Sequence, residues 1–477
     1  MKYEVVIGLE THVELETESK IFCSCGGHSK RKTPNDCVCP ACCGMPGMLP
    51  VMNKRVVELA IKAGTLLNCR ISPFVTFDKK NYFYPDLPCS YQITQWFHPI
   101  CTEGHVELET KNGTRRIGIK QIHMEEDAGK LVHDDWTNST LVDFNRTSVP
   151  LIEIVSKPDF RSGEEVLAYL EKLKAMFRFE RISECEDGAM RCDVNISLRP
   201  EGSEKLGVRT EIKNMSSLRE IERAIKYEIA RHTDALERQT ELLVQETRRW
   251  DDTKGRTFAM RNKETAEDYR YFPDPNLMPI EIGEDWIAAV RAEMSVTPDE
   301  KRKEYAELGL SEKEIDALVS ERLLCDLLDE LISSGVAART AAAWILTECG
   351  GQLRKRGLQL SDLCIAPEKL RRIIELVESG EINRAAGKRV LSAVLENDVD
   401  VDAYCEENAL AAADSSDAVR AVVLKVIDAN PKAVADYLGG REKALMSLFG
   451  GCMRELRGTG DPALIKELLA AELEKRK

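Results

Sequence analysis

No run of apolar residues in the 477-residue sequence approaches the length of a membrane span. Met1-Lys2-Tyr3-Glu4 begins neither a secretory apolar segment nor an Arg-rich transit peptide. The expectation is a soluble cytoplasmic (or matrix) protein with no membrane partner. Excess positive charge is missing too: 67 basic residues stand against 81 acidic ones, a formal charge of −14. That balance excludes indiscriminate coating of nucleic acid but leaves room for a local basic patch. There is no Gly-x-x-x-x-Gly-Lys-Ser/Thr loop and no kinase signature set, so the standard nucleotide-binding motifs are excluded. What is present is 43% hydrophobic and 31% charged residues, enough to build cores and unlike a disordered or fibrous chain. The length allows two to four domains.

Aromatic residues are few, and 23 of the 28 lie before residue 293. That part alternates short β-patterned runs with turn signals, whereas the rest is Ala/Leu/Glu-rich and helical. A boundary is expected near Met294 to Pro298, with a further division into units 294–405 and 406–477. In the tail, Pro367 opens a helix that Gly380 closes. Val419, Val422, Val423, Val426 and Ile427 form a stripe at helical spacing that stops at Asn430-Pro431. No repeat of solenoid length occurs. His-Val-Glu-Leu-Glu-Thr appears at His12 and again at His105, which reads as two strands of similar pattern.

Alternation along a strand shows which residues can converge. From Leu9 to Leu15, Glu10, His12 and Glu14 oppose Leu9, Val13 and Leu15. After a hairpin turn at Lys111-Asn112-Gly113-Thr114, His123, Glu125 and Asp127 share a parity. Asp193, Asn195 and Ser197 oppose Val194, Ile196 and Leu198, and Arg209, Glu211 and Lys213 oppose Val208 and Ile212. Any one strand reads as a half-exposed strand with a wetted face. Four together, with acids, His, Asn and Arg where each apolar face is cleanest, match the hard ligands and cations that Mg²⁺ on a nucleotide requires. Ser217-Leu218-Arg219-Glu220 is a capping box that would place helix N–H groups beside the Glu211 strand.

The 16 cysteines lack the context of a secreted disulfide framework and are expected to be reduced. Six crowd together: Cys23, Cys25, Cys37, Cys39, Cys42 and Cys43. Cys39-Pro40-Ala41-Cys42 is a typical zinc half-site and Cys23-Ser24-Cys25 a less usual partner. Structural Zn²⁺ on Cys23, Cys25, Cys39 and Cys42 is expected, with Cys37, Cys43 and His28 as alternative ligands. The competing reading is reduced cysteines in a loop.

Gly8-Leu9-Glu10-Thr11-His12, Lys79 to Pro88 (KKNYFYPDLP), Met124 to Lys130 (MEEDAGK), Asp143-Phe144-Asn145-Arg146, Gln245-Glu246-Thr247-Arg248 and Asp268 to Pro275 (DYRYFPDP) resemble the GatB family of aspartyl/glutamyl-tRNA amidotransferase subunits. Asn430 to Val434 and Glu442 to Leu445 resemble the family's helical, YqeY-like tail, so the likeness covers the whole chain. The resemblance implies an α+β protein: an N-terminal antiparallel-sheet cradle with a kinase-like role (1–293), an all-α domain (294–405) and a YqeY-like tRNA-binding tail (406–477). It implies ATP-dependent phosphorylation of the side-chain carboxylate of Glu-tRNA(Gln) or Asp-tRNA(Asn), followed by amidation. Ammonia would come from a glutamine-hydrolysing amidase subunit (GatA), braced by a small subunit (GatC) in a heterotrimer. Accordingly, the sequence has no Gly-Gly-Ser-Ser amidase signature and no Gly-x-Cys-x-Gly elbow, and Lys2 stands where an N-terminal-Cys glutaminase needs cysteine.

Setting a carboxylate against a γ-phosphate opposes charges that repel by roughly 4 kcal/mol per pair at ~4 Å and an effective dielectric near 20, so cations must be fixed there in advance. By resemblance and parity, Glu10, His12, Glu125 and Glu211 are assigned to Mg²⁺, with Asp193 and Asn195 as further candidates. Lys79, Arg209 and Lys213 are assigned to phosphate, Asn195 joining them in holding ATP. The sequence departs from the family at Cys89-Ser90 (Lys-Gly expected), Ser148 (Gly expected) and Lys157 (Glu expected). From Pro431 to Lys477 nine basic residues face seven acidic ones, a charge of +2, and Arg454 and Arg457 are the tRNA-binding candidates. Two rivals are a noncatalytic zinc-bearing RNA adaptor, whose phosphate partner the acids would repel, and a small-acid ligase using free ammonia, which has no evident need of 180-odd helical residues.

Overall fold

The computed structural model describes every residue except 1, 28–32, 112, 135, 187, 214, 216, 263–265, 295, 409, 411–415, 439–442, 457–461 and 477, and gives backbone alone at 261–262, 266–267, 416–418, 443 and 462–463. The chain divides after Pro298 into two compact units, and the protein is α+β.

The first unit carries the strands: β1 (Tyr3–Glu14), β2 (Arg70–Ile71), β3 (Phe74–Val75), β4 (Asp78–Asn81), β5 (Tyr91–Thr94), β6 (Cys101–Thr110), β7 (Gly113–Glu126), β8 (Lys130–Asp134), β9 (Ser139–Asp143), β10 (Pro150–Ser156), β11 (Met190–Pro200), β12 (Thr210–Lys213), β13 (Glu246–Asp251), β14 (Arg256–Asn262), β15 (Phe272–Pro273) and β16 (Ile280–Glu281). Nine form one sheet in the order β14-β13-β12-β11-β1-β10-β7-β6-β2, so β1 is central. Every pairing in that sheet is antiparallel except β12 with β13, which is parallel. A smaller sheet has the order β15-β4-β5.

Helices α1 (Lys54–Leu66), α2 (Gly163–Phe179) and α3 (Leu218–Arg238) share one apolar core with the large sheet. Ile7, Leu9 and Val13 of β1 are wholly buried in it beside Tyr169 and Leu173 of α2 and Ala224 and Ile225 of α3. The period of two that buries these residues turns Glu10, His12 and Glu14 the other way. Side chains of Asn53, Ser162 and Ser217 cap the three helices, Ser217 accepting from the Glu220 amide at 3.3 Å. β6 and β7 are antiparallel neighbours with Thr110 opposite Gly113, and Asn112 of the expected hairpin turn lies outside the described residues.

Among its described residues the second unit contains helices and no strand. Pro367–Glu378 has proline in its first turn, and Gly380 follows at φ +80°. Val419, Val423, Val426 and Ile427 of the Ser416–Ala429 helix pack against Leu448, Cys452, Ile465, Leu469 and Leu473. Among the described residues no helix is long and apolar enough to cross a membrane.

Candidate active site and metal centres

The face of the large sheet away from the helices gathers the polar side chains, and the central strand distributes them. Glu10 and His12 sit two positions apart on one face, but each faces different neighbours. Glu10 pairs across from Asp193 on β11, whereas His12 pairs across from Glu153 on β10 and Arg191 on β11. The residues assigned to Mg²⁺ therefore fall into two groups, His12 and Glu125 in one and Glu10 and Glu211 in the other.

In the first cluster, ligand atoms of His12, Glu125 and Glu153 lie within 4.8 Å of one another. His12 Nε2 is 3.4 Å from Glu153 and 3.5 Å from Glu125. His123 Nε2 stands 2.9 Å from Glu153 and 3.6 Å from Glu125, and Thr94 Oγ1 donates to Glu125 at 3.4 Å. Burial alone would lower both imidazoles. The Glu153 carboxylate, with Glu125, reverses this and lifts His12 to about 9 and His123 to about 10. The same charges hold Glu125 and Glu153 below the ordinary carboxylate range despite their burial. The cluster thus sets two imidazoles against two carboxylates, each favouring the charged form of the other, and a metal taking His12 as ligand requires the imidazole unprotonated.

In the second cluster, carboxylate oxygens of Glu10, Asp193 and Glu211 lie within 4.8 Å of one another. Asn195 Nδ2 donates to Glu10 at 2.9 Å, and Thr247 Oγ1 donates to Glu211 at 2.7 Å. Lys213 Nζ bonds Asp193 and reaches Glu211 at 3.3 Å. Burial opposes the Lys213 charge, and Asp193 and Glu211 more than restore it. Three carboxylates with one ammonium make a hard-oxygen set suited to Mg²⁺.

The other two residues assigned to phosphate are placed differently from Lys213. Arg209 is exposed and precedes β12, which starts at Thr210 rather than Val208. Lys79 turns to the other side of the small sheet, its Nζ 4.1 Å from the Tyr91 ring centroid and 3.8 Å from Asp274. Beside it a cavity of about 300 Å³ is lined by Cys42, Gly44, Cys89, Tyr91, Glu126 and Ser148. Glu126 accepts from the Ile93 amide at 3.0 Å and from Ser148 Oγ at 2.5 Å, and burial pushes it up to about 7. Arg454 is exposed on the Lys443–Glu455 helix, donating to the Gly450 carbonyl at 3.2 Å. Arg457 lies outside the described residues.

Sequence reasoning missed Glu153, although the signal was there: one acid inside Leu151-Ile152-Glu153-Ile154-Val155 takes the parity opposite Ile152 and Ile154. It also missed Arg191, which bonds Asp127 at 2.5 Å on the same face. The departures from the family have a backbone explanation. Ser90 and Ser148, where glycine was expected, have φ +59° and +63°, the left-handed region that costs other residues roughly 1–2 kcal/mol. Lys157 pairs with Glu103 at 2.8 Å on the surface.

The four sulfurs of Cys23, Cys25, Cys39 and Cys42 lie within 4.8 Å of one another. Cys37 is directed elsewhere, its thiol donating to the Gly26 carbonyl at 3.8 Å, and His28 lies outside the described residues. The Cys23 thiol donates to Cys42 and outweighs burial, and with the Cys39 amide and the Lys20 charge it pulls Cys42 down to about 4. Such a set of four converging sulfurs suits tetrahedral Zn²⁺.

Residues 5–288 match the family model for the GatB/GatE catalytic domain, and residues 326–473 match the model for the GatB domain. The GatB subunit of the aspartyl/glutamyl-tRNA(Asn/Gln) amidotransferase of Lachnospira eligens is 47% identical, with 98% of each chain covered. The protein of the same description from Caldicellulosiruptor bescii is 44% identical over the full length of both chains. Among solved structures, the tRNA-binding domain of Saccharomyces cerevisiae glutaminyl-tRNA synthetase aligns with 38% of this chain and 94% of its own at 16% identity, but its TM-score of 0.27 is too low to carry an inference. With both family models matched in order and full-length relatives at this identity, the chain belongs to the GatB family.

Proposed function

We propose that this chain is the kinase and transamidase subunit of an aspartyl/glutamyl-tRNA amidotransferase, a ligase of protein biosynthesis. The observation that carries the reading is the pair of acid clusters on one sheet face, in a chain whose relatives are named for this reaction. A side-chain carboxylate oxygen of Glu-tRNA(Gln) or Asp-tRNA(Asn) attacks the γ-phosphorus of ATP, and ADP leaves. Ammonia then attacks the acyl carbon, loses a proton and expels phosphate, leaving the amide. Both substrates of the first step are anions, so the face must present fixed positive charge. Lys213 supplies it, pinned by Asp193 and Glu211.

Glu10, Asp193 and Glu211 fit Mg²⁺, which when bound would neutralise phosphate oxygens; His12, Glu125 and Glu153 are a second candidate set. Asn195 orients Glu10, and Thr247 orients Glu211. Lys79 and Arg209 are the further residues proposed for phosphate charge. The cysteine set takes zinc as a structural staple away from the chemistry. The domain division proposed is a cradle over 1–293, a helical domain over 294–405 and a YqeY-like tail over 406–477 that grips tRNA through Arg454 and Arg457. Partners proposed are a glutamine-hydrolysing GatA subunit and a small GatC subunit in a cytoplasmic heterotrimer.

The test replaces Glu125 or Glu211 with Gln in the reconstituted complex, keeping shape while removing charge. ATP- and tRNA-dependent amide formation is expected to fall by about 10²-fold or more, with glutamine hydrolysis by the partner retained. Near-normal amide formation in both variants would refute the assignment of the clusters.

A further inference from the structure

Two stretches, Lys79 to Pro88 and Asp268 to Pro275, hold aromatic side chains that neither acid cluster nor the cysteine set uses. They meet on one wall. Trp96, just beyond β5, stacks on Tyr271 with ring centroids 4.5 Å apart and planes 8° from parallel. Tyr269 lies 5.9 Å from Tyr271 and 5.9 Å from Tyr82. The Lys80 ammonium stands 4.7 Å from the Tyr269 ring and 5.7 Å from that of Tyr82.

The wall is held in place by the backbone. Arg270 adopts φ +45°, and the Asn81 amide donates to the carbonyls of Tyr269 and Arg270 at 3.4 and 2.9 Å. Asp78 accepts from the Trp96 and Phe97 amides at 2.7 and 3.0 Å. Yet the rings are not buried as a core would be. Trp96 is 46% exposed, and Tyr82, Tyr269 and Tyr271 are half-buried. Linked aromatic rings that keep part of their surface open beside a cation suit the stacking of a planar ligand.

The wall lies near the first acid cluster: Thr94, two residues before Trp96, donates to Glu125 at 3.4 Å, and after burial the Glu125 charge raises the Tyr82 phenol while Tyr269, then Glu153 and Glu125, raise Tyr271. The amino acid to be phosphorylated must bring its carboxylate to the acid clusters. It is esterified to the terminal ribose of an unpaired strand, so the terminal base must lie about one amino-acid length away. ATP's phosphates, by contrast, belong with Lys213 across β1. We propose that Trp96 and Tyr271, with Lys80, form a stacking site for the terminal base of the aminoacylated acceptor strand. This rests on the amidotransferase reading above.

The test uses the reconstituted complex and aminoacyl-tRNA whose terminal adenosine is replaced by 2-aminopurine. Binding to the wild type should quench the probe, and Trp96→Leu or Tyr271→Leu should abolish the quenching and raise KM for aminoacyl-tRNA about tenfold, as loss of one stacked base predicts. Tyr271→Phe keeps the ring and should recover most of that loss, while KM for ATP stays constant. Melting curves guard against misfolding. A rise in KM for ATP instead would move the site to the adenine of ATP and overturn the proposal. So would loss of the partner proteins with tRNA affinity intact, or no effect on either substrate. Quenching without amide formation by the wild type would sink the amidotransferase reading while leaving the stacking site standing.

Discussion

Lys20 is wholly buried, with its ammonium 3.7 Å from the Cys42 sulfur, 3.1 Å from the Cys37 carbonyl and 3.5 Å from that of Phe144. A buried cation is stable only when paired, and four thiolates around a divalent ion leave net negative charge for it to offset. Protein purified without chelator should hold about one zinc per chain by elemental analysis. Lys20→Met should release zinc at lower chelator concentration, and Cys39→Ser should lower melting more than the activity of the surviving folded enzyme. A metal-free protein that melts normally would end this account. The cysteine spacing was legible in the sequence because Cys-x-x-Cys is local. Lys20 was not, since nothing near it in the chain marks it as buried. Glu153 was legible in principle, and Ser90 and Ser148 were visible only as departures until their backbone angles explained why glycine was expected.

The crossover from β12 through α3 to β13 makes the one parallel pair in the large sheet, and it is closed by a buried charge network. Glu228 on α3, wholly buried, accepts from Arg231 at 2.8 Å and from Thr257 on β14, with Arg248 at 3.4 Å. Burial would raise this carboxyl, but bonds from His232, Arg231 and Thr257 push it from 4.5 down to about 2. A carboxyl depressed in the fold stabilises it above the unfolded value and loses that contribution as pH falls through the folded one. Between pH 4.5 and 2 the loss should be on the order of 3 kcal/mol. Glu228→Gln should be less stable at neutral pH, and its gap from the wild type in urea titrations should narrow toward pH 2. A gap independent of pH would show that the charge is immaterial. Parity within each strand was readable in the sequence, and it placed the polar face correctly. Which strand neighbours which was not, because Glu10 opposite Asp193 and His12 opposite Glu153 are pairings across more than a hundred residues. That is why the division of the Mg²⁺ residues into two groups was not readable there.

At the scale of the whole chain, the C-terminal helices carry the opposite charge sign from the average, +2 against −14. Their core, from Val419 to Leu473, is a cluster of its own. A chain ending near Ala412 should therefore keep the cradle's chemistry with ATP while binding tRNA more weakly and with a flatter dependence on salt. Arg454→Ala alone should remove roughly 0.7–0.9 unit of the salt slope if it touches one phosphate. Unchanged affinity and slope in the shortened chain would reassign the tail to partner contact. The central position of β1 also sets a timetable. β1 pairs with β10, Glu10 opposite Val155, and with β11, Tyr3 opposite Pro200, so it waits about 140 residues of synthesis for one neighbour and nearly 200 for the other. At about 5–20 residues per second the longer wait is roughly 10–40 s, during which one edge of β1 stays unpaired. Pulse proteolysis of stalled chains should therefore show protection rising in two steps, after β10 and again after β11.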